Sequence, residues 1–171
     1  IGCKACAKGQ YQVKLPHGAH RCTDCPSGRY SNAEGTVECT ACSYHCAAGL
    51  FHTGCGLVSP GSCAPCGLGR FKSASGVDGC ASCDSGKFAD GKGFSGCKAC
   101  GVGQYQDGVA AGGCKACDHH CPSGREHTGC AGGSAGACED CDAGSFKIEA
   151  GSHACAECTA GNYHEAAGQA E

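Results

Sequence analysis

The residues of this chain with the most chemistry to offer are its cysteines. There are 22 in 171 residues, about 13% of the sequence. Nine C-x-x-C pairs begin at Cys3, Cys22, Cys39, Cys63, Cys80, Cys97, Cys114, Cys138 and Cys155, and four further cysteines, Cys46, Cys55, Cys121 and Cys130, stand outside them. Thiols in this spacing have three uses. Two pairs can supply the four thiolates of a tetrahedral zinc site. A single pair can run thiol–disulfide exchange, but that chemistry belongs on a βαβ core. Or the thiols can cross-link the chain in an oxidising compartment.

The spacing favours cross-links. Pair starts step by 19, 17, 24, 17, 17, 17, 24 and 17 residues, so a short unit recurs every 17 and a long unit spans 24 and carries the extra cysteines. Let the second cysteine of each pair open a unit and the first cysteine of the next pair close it. The short units then hold Cys6–Cys22, Cys25–Cys39, Cys66–Cys80, Cys83–Cys97, Cys100–Cys114 and Cys141–Cys155. Each long unit takes two interlaced bonds, Cys42–Cys55 with Cys46–Cys63 and Cys117–Cys130 with Cys121–Cys138. Only Cys3 and Cys158 are left unpaired within the chain. Cys3 would close a unit begun earlier, and Cys158 opens one with Gly161, Tyr163 and Gly168 in register, so the sequence reads as a stretch of a longer array. Zinc is the minor alternative, an array of four-cysteine sites. Twenty-two cysteines do not divide into fours, and the four outside the pairs fit no knuckle. Four thiolates also outweigh one Zn²⁺, so such sites would load the chain with negative charge.

Histidines are the second candidates. His45 and His52 return 75 residues later as His120 and His127, with His119 beside them. Imidazoles near cysteines could bind a metal or titrate near neutrality. Internal duplication explains their recurrence without either role, so they rank low as metal ligands and no cofactor is assigned.

The elements that must position these groups follow from the short-unit pattern, C-x2-G-x-[YF]-x4-G-x3-C-x2-C. The first glycine tolerates positive φ and predicts a tight turn. The second, five residues beyond the aromatic, predicts the return turn of a small hairpin-like loop. Ala110 stands where that second glycine is due. The one aromatic per unit (Tyr11, Tyr30, Phe71, Phe88, Tyr105, Phe146 and Tyr163) is expected to lie on a neighbouring disulfide as a one-residue core.

Composition agrees. Leu, Ile, Val and Phe total 17, with five Tyr and no Trp or Met, too few to fill the core usual at this length. A disulfide closing a loop of about 15 residues contributes roughly 3 kcal/mol instead. The predicted fold class is small and disulfide-rich: an elongated tandem array of short irregular β and loop modules, with little or no helix and no large hydrophobic core. Residues 1–5 end a preceding module. Short modules occupy 6–22, 25–39, 66–80, 83–97, 100–114 and 141–155. Long ones occupy 42–63 and 117–138, and 158–171 is an incomplete short module.

Several function classes drop out. A net charge of −3 supplies no basic stripe for nucleic acid. No apolar run approaches the roughly 20 residues of a membrane span. No Ser-His-Asp order, paired acidic motif or phosphate loop suggests an enzyme. Neither Asn32 nor Asn162 begins a glycosylation sequon.

The short pattern, together with the C-x3-C…H-T-G-C…S-x-G-x-C-x2-C variant of the long units, resembles the ephrin-receptor-type cysteine-rich repeats of long extracellular proteins. These are related in style to the modules of growth-factor and TNF receptors. The resemblance implies an extracellular or cell-surface, non-enzymatic chain and fixes no ligand. The leading expectation is a structural, disulfide-stapled rod in a stalk, matrix or filament such as a flagellar hair, whose partners are other copies or segments of an extracellular assembly. The alternative is a receptor or adhesion ectodomain that binds a protein ligand.

Overall fold

The structure is a computed structural model and describes residues 3–163 and 165–168. His164 and residues 169–171 of the incomplete last module, and the first two residues of the chain, lie outside the described residues.

Among the described residues, eight two-stranded antiparallel ladders make up the sheet structure. In chain order they are β1 (Gln10–Lys14) with β2 (His20–Asp24), β3 (Arg29–Tyr30) with β4 (Thr40–Ala41), β5 (Leu50–Gly56) with β6 (Ser59–Pro65), and β7 (Arg70–Phe71) with β8 (Ala81–Ser82). Then come β9 (Lys87–Phe88) with β10 (Lys98–Ala99), β11 (Gln104–Tyr105) with β12 (Lys115–Ala116), β13 (Arg125–Ala131) with β14 (Ser134–Asp140), and β15 (Ser145–Phe146) with β16 (Ala156–Glu157). A single 3₁₀ turn at Pro16–Gly18 is the helical content of the described residues. Among the described residues no sheet grows beyond two strands, because alternation of apolar and polar residues does not persist there long enough to give a wider sheet a buried face.

The seven-residue strands belong to the long units. Their two-residue loops, Leu57–Val58 and Gly132–Gly133, open on a residue with positive φ, 42° at Leu57 and 53° at Gly132. That twist matches the strands of a tight hairpin.

The chain forms two compact units, each stapled by five disulfides. The first comprises Ile1–Gly67, Phe71–Ala81 and Lys92–Gly96. It holds Cys6–Cys22, Cys25–Cys39, Cys42–Cys55, Cys46–Cys63 and Cys66–Cys80. The second comprises Leu68–Arg70, Ser82–Gly91 and Cys97–Glu171. It holds Cys83–Cys97, Cys100–Cys114, Cys117–Cys130, Cys121–Cys138 and Cys141–Cys155. Cys3 and Cys158 carry free thiols, the former exposed. The interior is sulfur rather than hydrocarbon: Cys6, Cys25, Cys39, Cys46 and Cys66 are buried in the first unit, and Cys83, Cys121 and Cys141 with Ala89 in the second.

The aromatics do not fill the place expected of them. Tyr11, Tyr30, Phe71, Phe88, Tyr105 and Phe146 are only half-buried, and Tyr163 is 75% exposed. The buried position is the next residue along. Ser31 (4%), Lys72 (4%), Ala89 (0%), Gln106 (8%) and Lys147 (2%) each follow an aromatic and face inward. The pleat explains this, since successive side chains leave opposite sides of an extended strand. The aromatic is the last residue of its two-residue strand, so its successor takes the inner side.

The glycines join one module to the next. In the first unit Gly9 N–H donates to Ser31 O at 2.8 Å and Gly49 N–H to Lys72 O at 2.8 Å. In the second, Gly69 donates to Ala89 O at 2.9 Å, Gly86 to Gln106 O at 2.7 Å and Gly124 to Lys147 O at 2.8 Å. All five donors have positive φ, and a Cβ on Gly49 would strike Gly93 O, one on Gly69 the carbonyl of Ala110.

The second glycine was expected to close a loop within its own module. Its N–H instead reaches back to the preceding module. Gly35 donates to Cys6 O (2.8 Å), Gly93 to Cys66 O (2.9 Å) and Gly168 to Cys141 O (2.9 Å). Gly76 exchanges paired bonds with Cys46, and Gly151 with Cys121, as isolated antiparallel bridges. Ala110 makes the same bond to Cys83 O (2.8 Å), at φ 55°, without being glycine.

Candidate functional site

Side-chain chemistry concentrates in three places: the histidines of the long hairpins, a pair of buried lysines, and a set of exposed charged and apolar residues on the short modules.

In the second long hairpin His127 lies on β13 and His119 on the segment before Cys121. Their Nδ1 atoms are 3.2 Å apart, with ring centroids at 4.8 Å and planes at 84°. His127 thus takes its ring partner from His119, not from the repeated His120, whose backbone N–H donates to Asp118 Oδ1 at 3.0 Å. The first long hairpin has a different pair at the same positions. Tyr44 meets His52 edge-on, with centroids at 5.0 Å and planes at 82°. His52 Nε2 is 3.1 Å from Pro60 O. In both hairpins the strand histidine covers a glycine, His52 over Gly61 and His127 over Gly136, where any Cβ would collide with the imidazole. Sequence reasoning saw the recurrence of His45 with His120 and of His52 with His127. It missed that Tyr44 and His119 occupy equivalent places. Among the described residues no group of three or more His, Cys, Asp and Glu is placed to hold a metal ion.

The buried lysines repeat at the same 75-residue offset. Lys72 Nζ donates to Gly76 O (2.7 Å) and Cys46 O (3.1 Å). Lys147 Nζ donates to Gly151 O (2.7 Å) and Cys121 O (3.4 Å). Each cation therefore sits on the carbonyls of the bridge that fastens a short module to the long one before it. An ammonium has three donors and no acceptor, so a cluster of carbonyls suits it.

Two consecutive short modules share a surface arrangement. Lys98 Nζ pairs with Asp90 Oδ1 at 2.9 Å and stands 5.8 Å from the centre of the Phe88 ring. Lys115 Nζ pairs with Asp107 Oδ1 at 2.6 Å and stands 5.5 Å from the Tyr105 ring. The lysine hydrogen bond holds each carboxylate below the usual range near 3.8. The Asp107 bond likewise raises the Lys115 ammonium above its ordinary 10.5. All four groups are about half exposed, so water screens these pairs.

Large apolar side chains are scarce, yet among the described residues Val37, Leu57, Val58, Leu68, Val77, Val102, Val109 and Ile148 are exposed, as are Tyr44 and Tyr163. An open groove of about 290 Å³ runs beside Phe146 and Ile148 and also carries Glu149 and His153. Another, of about 270 Å³, is lined by Cys3, Lys4, His20 and Arg21. No helix of the described residues is long and apolar enough to cross a membrane.

Comparison with known proteins places a likeness on part of the chain. Residues 14–53 match the family model described as tyrosine-protein kinase ephrin type A/B receptor-like. The ephrin-receptor-type resemblance read from the cysteine and glycine spacing is met there, over a minority of the chain. No curated protein matches. Among solved structures, one titled human RANKL/OPG complex is similar at 18% identity over 81% of this chain and 90% of that one. The TM-score of that likeness is 0.31. Ten disulfides, together with the receptor-like match at residues 14–53, point to an extracellular or secreted location.

Proposed function

We propose that this chain is a non-catalytic segment of an extracellular ectodomain, whose disulfide-stapled modules bind a protein ligand through their exposed side chains. The reading rests on one observation above others. The folding work is done by disulfides and by main-chain bonds between modules, so the large apolar residues are not needed inside. Ten of them stand exposed in a chain that has few to spare, and exposed apolar surface is characteristic of contact sites when it gathers on one patch. One of the ten, Ile148, lines an open groove with Phe146, edged by Glu149 and His153, and we assign the contact to that groove. The match at residues 14–53 to a receptor-like family agrees with it.

A panel of purified extracellular proteins, presented to the oxidised chain by biolayer interferometry, tests the reading. Saturable binding that Ile148→Asp weakens by at least about tenfold, the loss of a central anchor, is the expected result. Binding untouched by Ile148→Asp and by a second change, Val109→Asp, would move the contact elsewhere. The absence of any saturable partner would overturn the proposal.

A structural role in an assembly of copies is the second reading. It is favoured by the recurrence of one main-chain joint, in which a glycine N–H meets the carbonyl of a preceding opening cysteine. Sedimentation of the oxidised chain distinguishes the two: concentration-dependent growth into large species supports assembly, and a monomer at all concentrations supports ligand binding.

A further inference from the structure

The geometry points to a divalent transition-metal site at His119 and His127, formed by the two Nδ1 atoms and completed by water. The argument does not depend on the ligand-binding reading above.

Distance is the first support. Zn²⁺ binds imidazole nitrogen at about 2.0–2.1 Å in a tetrahedron, which sets two ligand nitrogens about 3.3–3.4 Å apart. The two Nδ1 atoms already stand 3.2 Å apart. The nitrogens need to part by only a few tenths of an ångström, and the two rings must turn so that both Nδ1 lone pairs converge on the ion and no longer face each other. The planes cross at 84°, so the rings meet at an angle and do not stack face to face.

Preorganisation is the second. Cys117 and Cys121 flank His119, and their bonds run to Cys130 and Cys138 on the strands of the same hairpin. His127 sits on β13 opposite Cys138 in the ladder. Its ring is seated over Gly136, whose missing side chain leaves the space. Both imidazoles are thus held before any ion arrives, and little ordering is left for binding to cost.

Chemistry and access are the third. In the present contact one Nδ1 carries a proton and the other accepts it. For both to bind metal, the donor ring moves its proton to Nε2, so a neutral pair takes up the ion without releasing a proton. His119 is exposed and His127 half-buried, which leaves the remaining positions open to water or to a donor from another molecule. The neighbouring carboxylate, Asp118, is engaged with the His120 N–H. The ligand set is therefore neutral, and it suits zinc, copper or nickel better than calcium or magnesium.

The first long hairpin is a built-in control, because Tyr44 replaces the loop histidine there and meets His52 instead. A tyrosine at position 119 is compatible with the hairpin for the same reason.

The test uses the oxidised full chain with Cys3→Ser and Cys158→Ser, so that free thiols do not compete for metal. ZnCl₂ is titrated by calorimetry at neutral pH, with imidazole resonances followed by NMR. One equivalent bound, with the His119 and His127 signals moving together, is the expected result. His119→Tyr lowers the affinity by at least about tenfold, the scale on which weaker changes around metal sites act. Tyr44→His adds a second equivalent. Absence of zinc-dependent shifts at these rings, an unchanged isotherm in His119→Tyr, or no gain in Tyr44→His would each overturn the assignment.

Discussion

Lys147 Nζ donates to Gly151 O at 2.7 Å, on the same carbonyl that accepts the Cys121 N–H at 2.9 Å. The side chain is 2% exposed. Lys72 and Gly76 repeat the arrangement at 2.7 Å. The ammonium and the backbone bridge therefore share acceptors, and each module pair that joins a long unit to a short one is fastened by both.

Removing the ammonium leaves each carbonyl with its backbone partner, so the loss is moderate. Lys147→Met keeps the stem and deletes the charge. We expect it to cost about 2 kcal/mol, the range of a hydrogen bond to a charged group. Thermal melting of the oxidised protein checks this, with Lys72→Met expected to cost a similar amount. An unchanged melt in both would show that the backbone bridge alone fastens the joint.

Ala110 holds a left-handed backbone at φ 55° where the equivalent Gly35 and Gly93 have φ 68° and 77°. An L-residue there costs about 1–2 kcal/mol, and glycine costs less than that in chain entropy. Ala110→Gly is expected to raise stability by about 0.5 kcal/mol, whereas Gly93→Ala lowers it. Denaturant unfolding of the two variants against the parent checks the opposite signs.

Gly69 presents a harder limit. Its φ is 70° and an added Cβ would run into the carbonyl of Ala110. Gly69→Ala should therefore open the Gly69–Ala89 backbone bond, read as faster hydrogen exchange at the Gly69 amide. Gly103, with similar φ but open space around it, should respond less to the same change.

The surface pairs give a pH prediction of small size. Asp90 and Asp107 are held below their ordinary value of 3.8, so they favour the folded state above that pH. The contribution fades as pH falls through their lower folded values. For Lys115, held above 10.5, the sign reverses: the contribution is present below that pH and is lost as pH rises past it. Melting temperatures of the parent and of Asp90→Asn/Asp107→Asn are expected to differ slightly at pH 5 and to converge by about pH 2. Added salt should narrow the pH 5 difference.

Much of the fold is legible in the residue pattern. A chain with 22 cysteines and so few large apolar residues has little choice but short ladders held by disulfides. What spacing hides is direction. The aromatics stand out in the sequence because they are large, yet at Tyr30, Phe71, Phe88, Tyr105 and Phe146 the pleat turns the less conspicuous residue behind inward, and so two lysines, a serine and a glutamine are buried. The second glycines read as local turns because sequence shows only near neighbours, whereas their N–H groups serve the preceding module. The histidine pair was obscured in the same way: position 119 matches Tyr44 rather than another histidine, so the repeat that drew attention to His120 pointed past its neighbour.

The most direct test of this account is the disulfide map of the oxidised chain, by proteolysis and mass spectrometry without reduction. The joints, the buried lysines and the histidine pair all depend on the interlaced bonds of the two long units. The account predicts Cys42–Cys55 with Cys46–Cys63, and Cys117–Cys130 with Cys121–Cys138. Recovery of bonds within C-x-x-C pairs, such as Cys39–Cys42 or Cys138–Cys141, would contradict it.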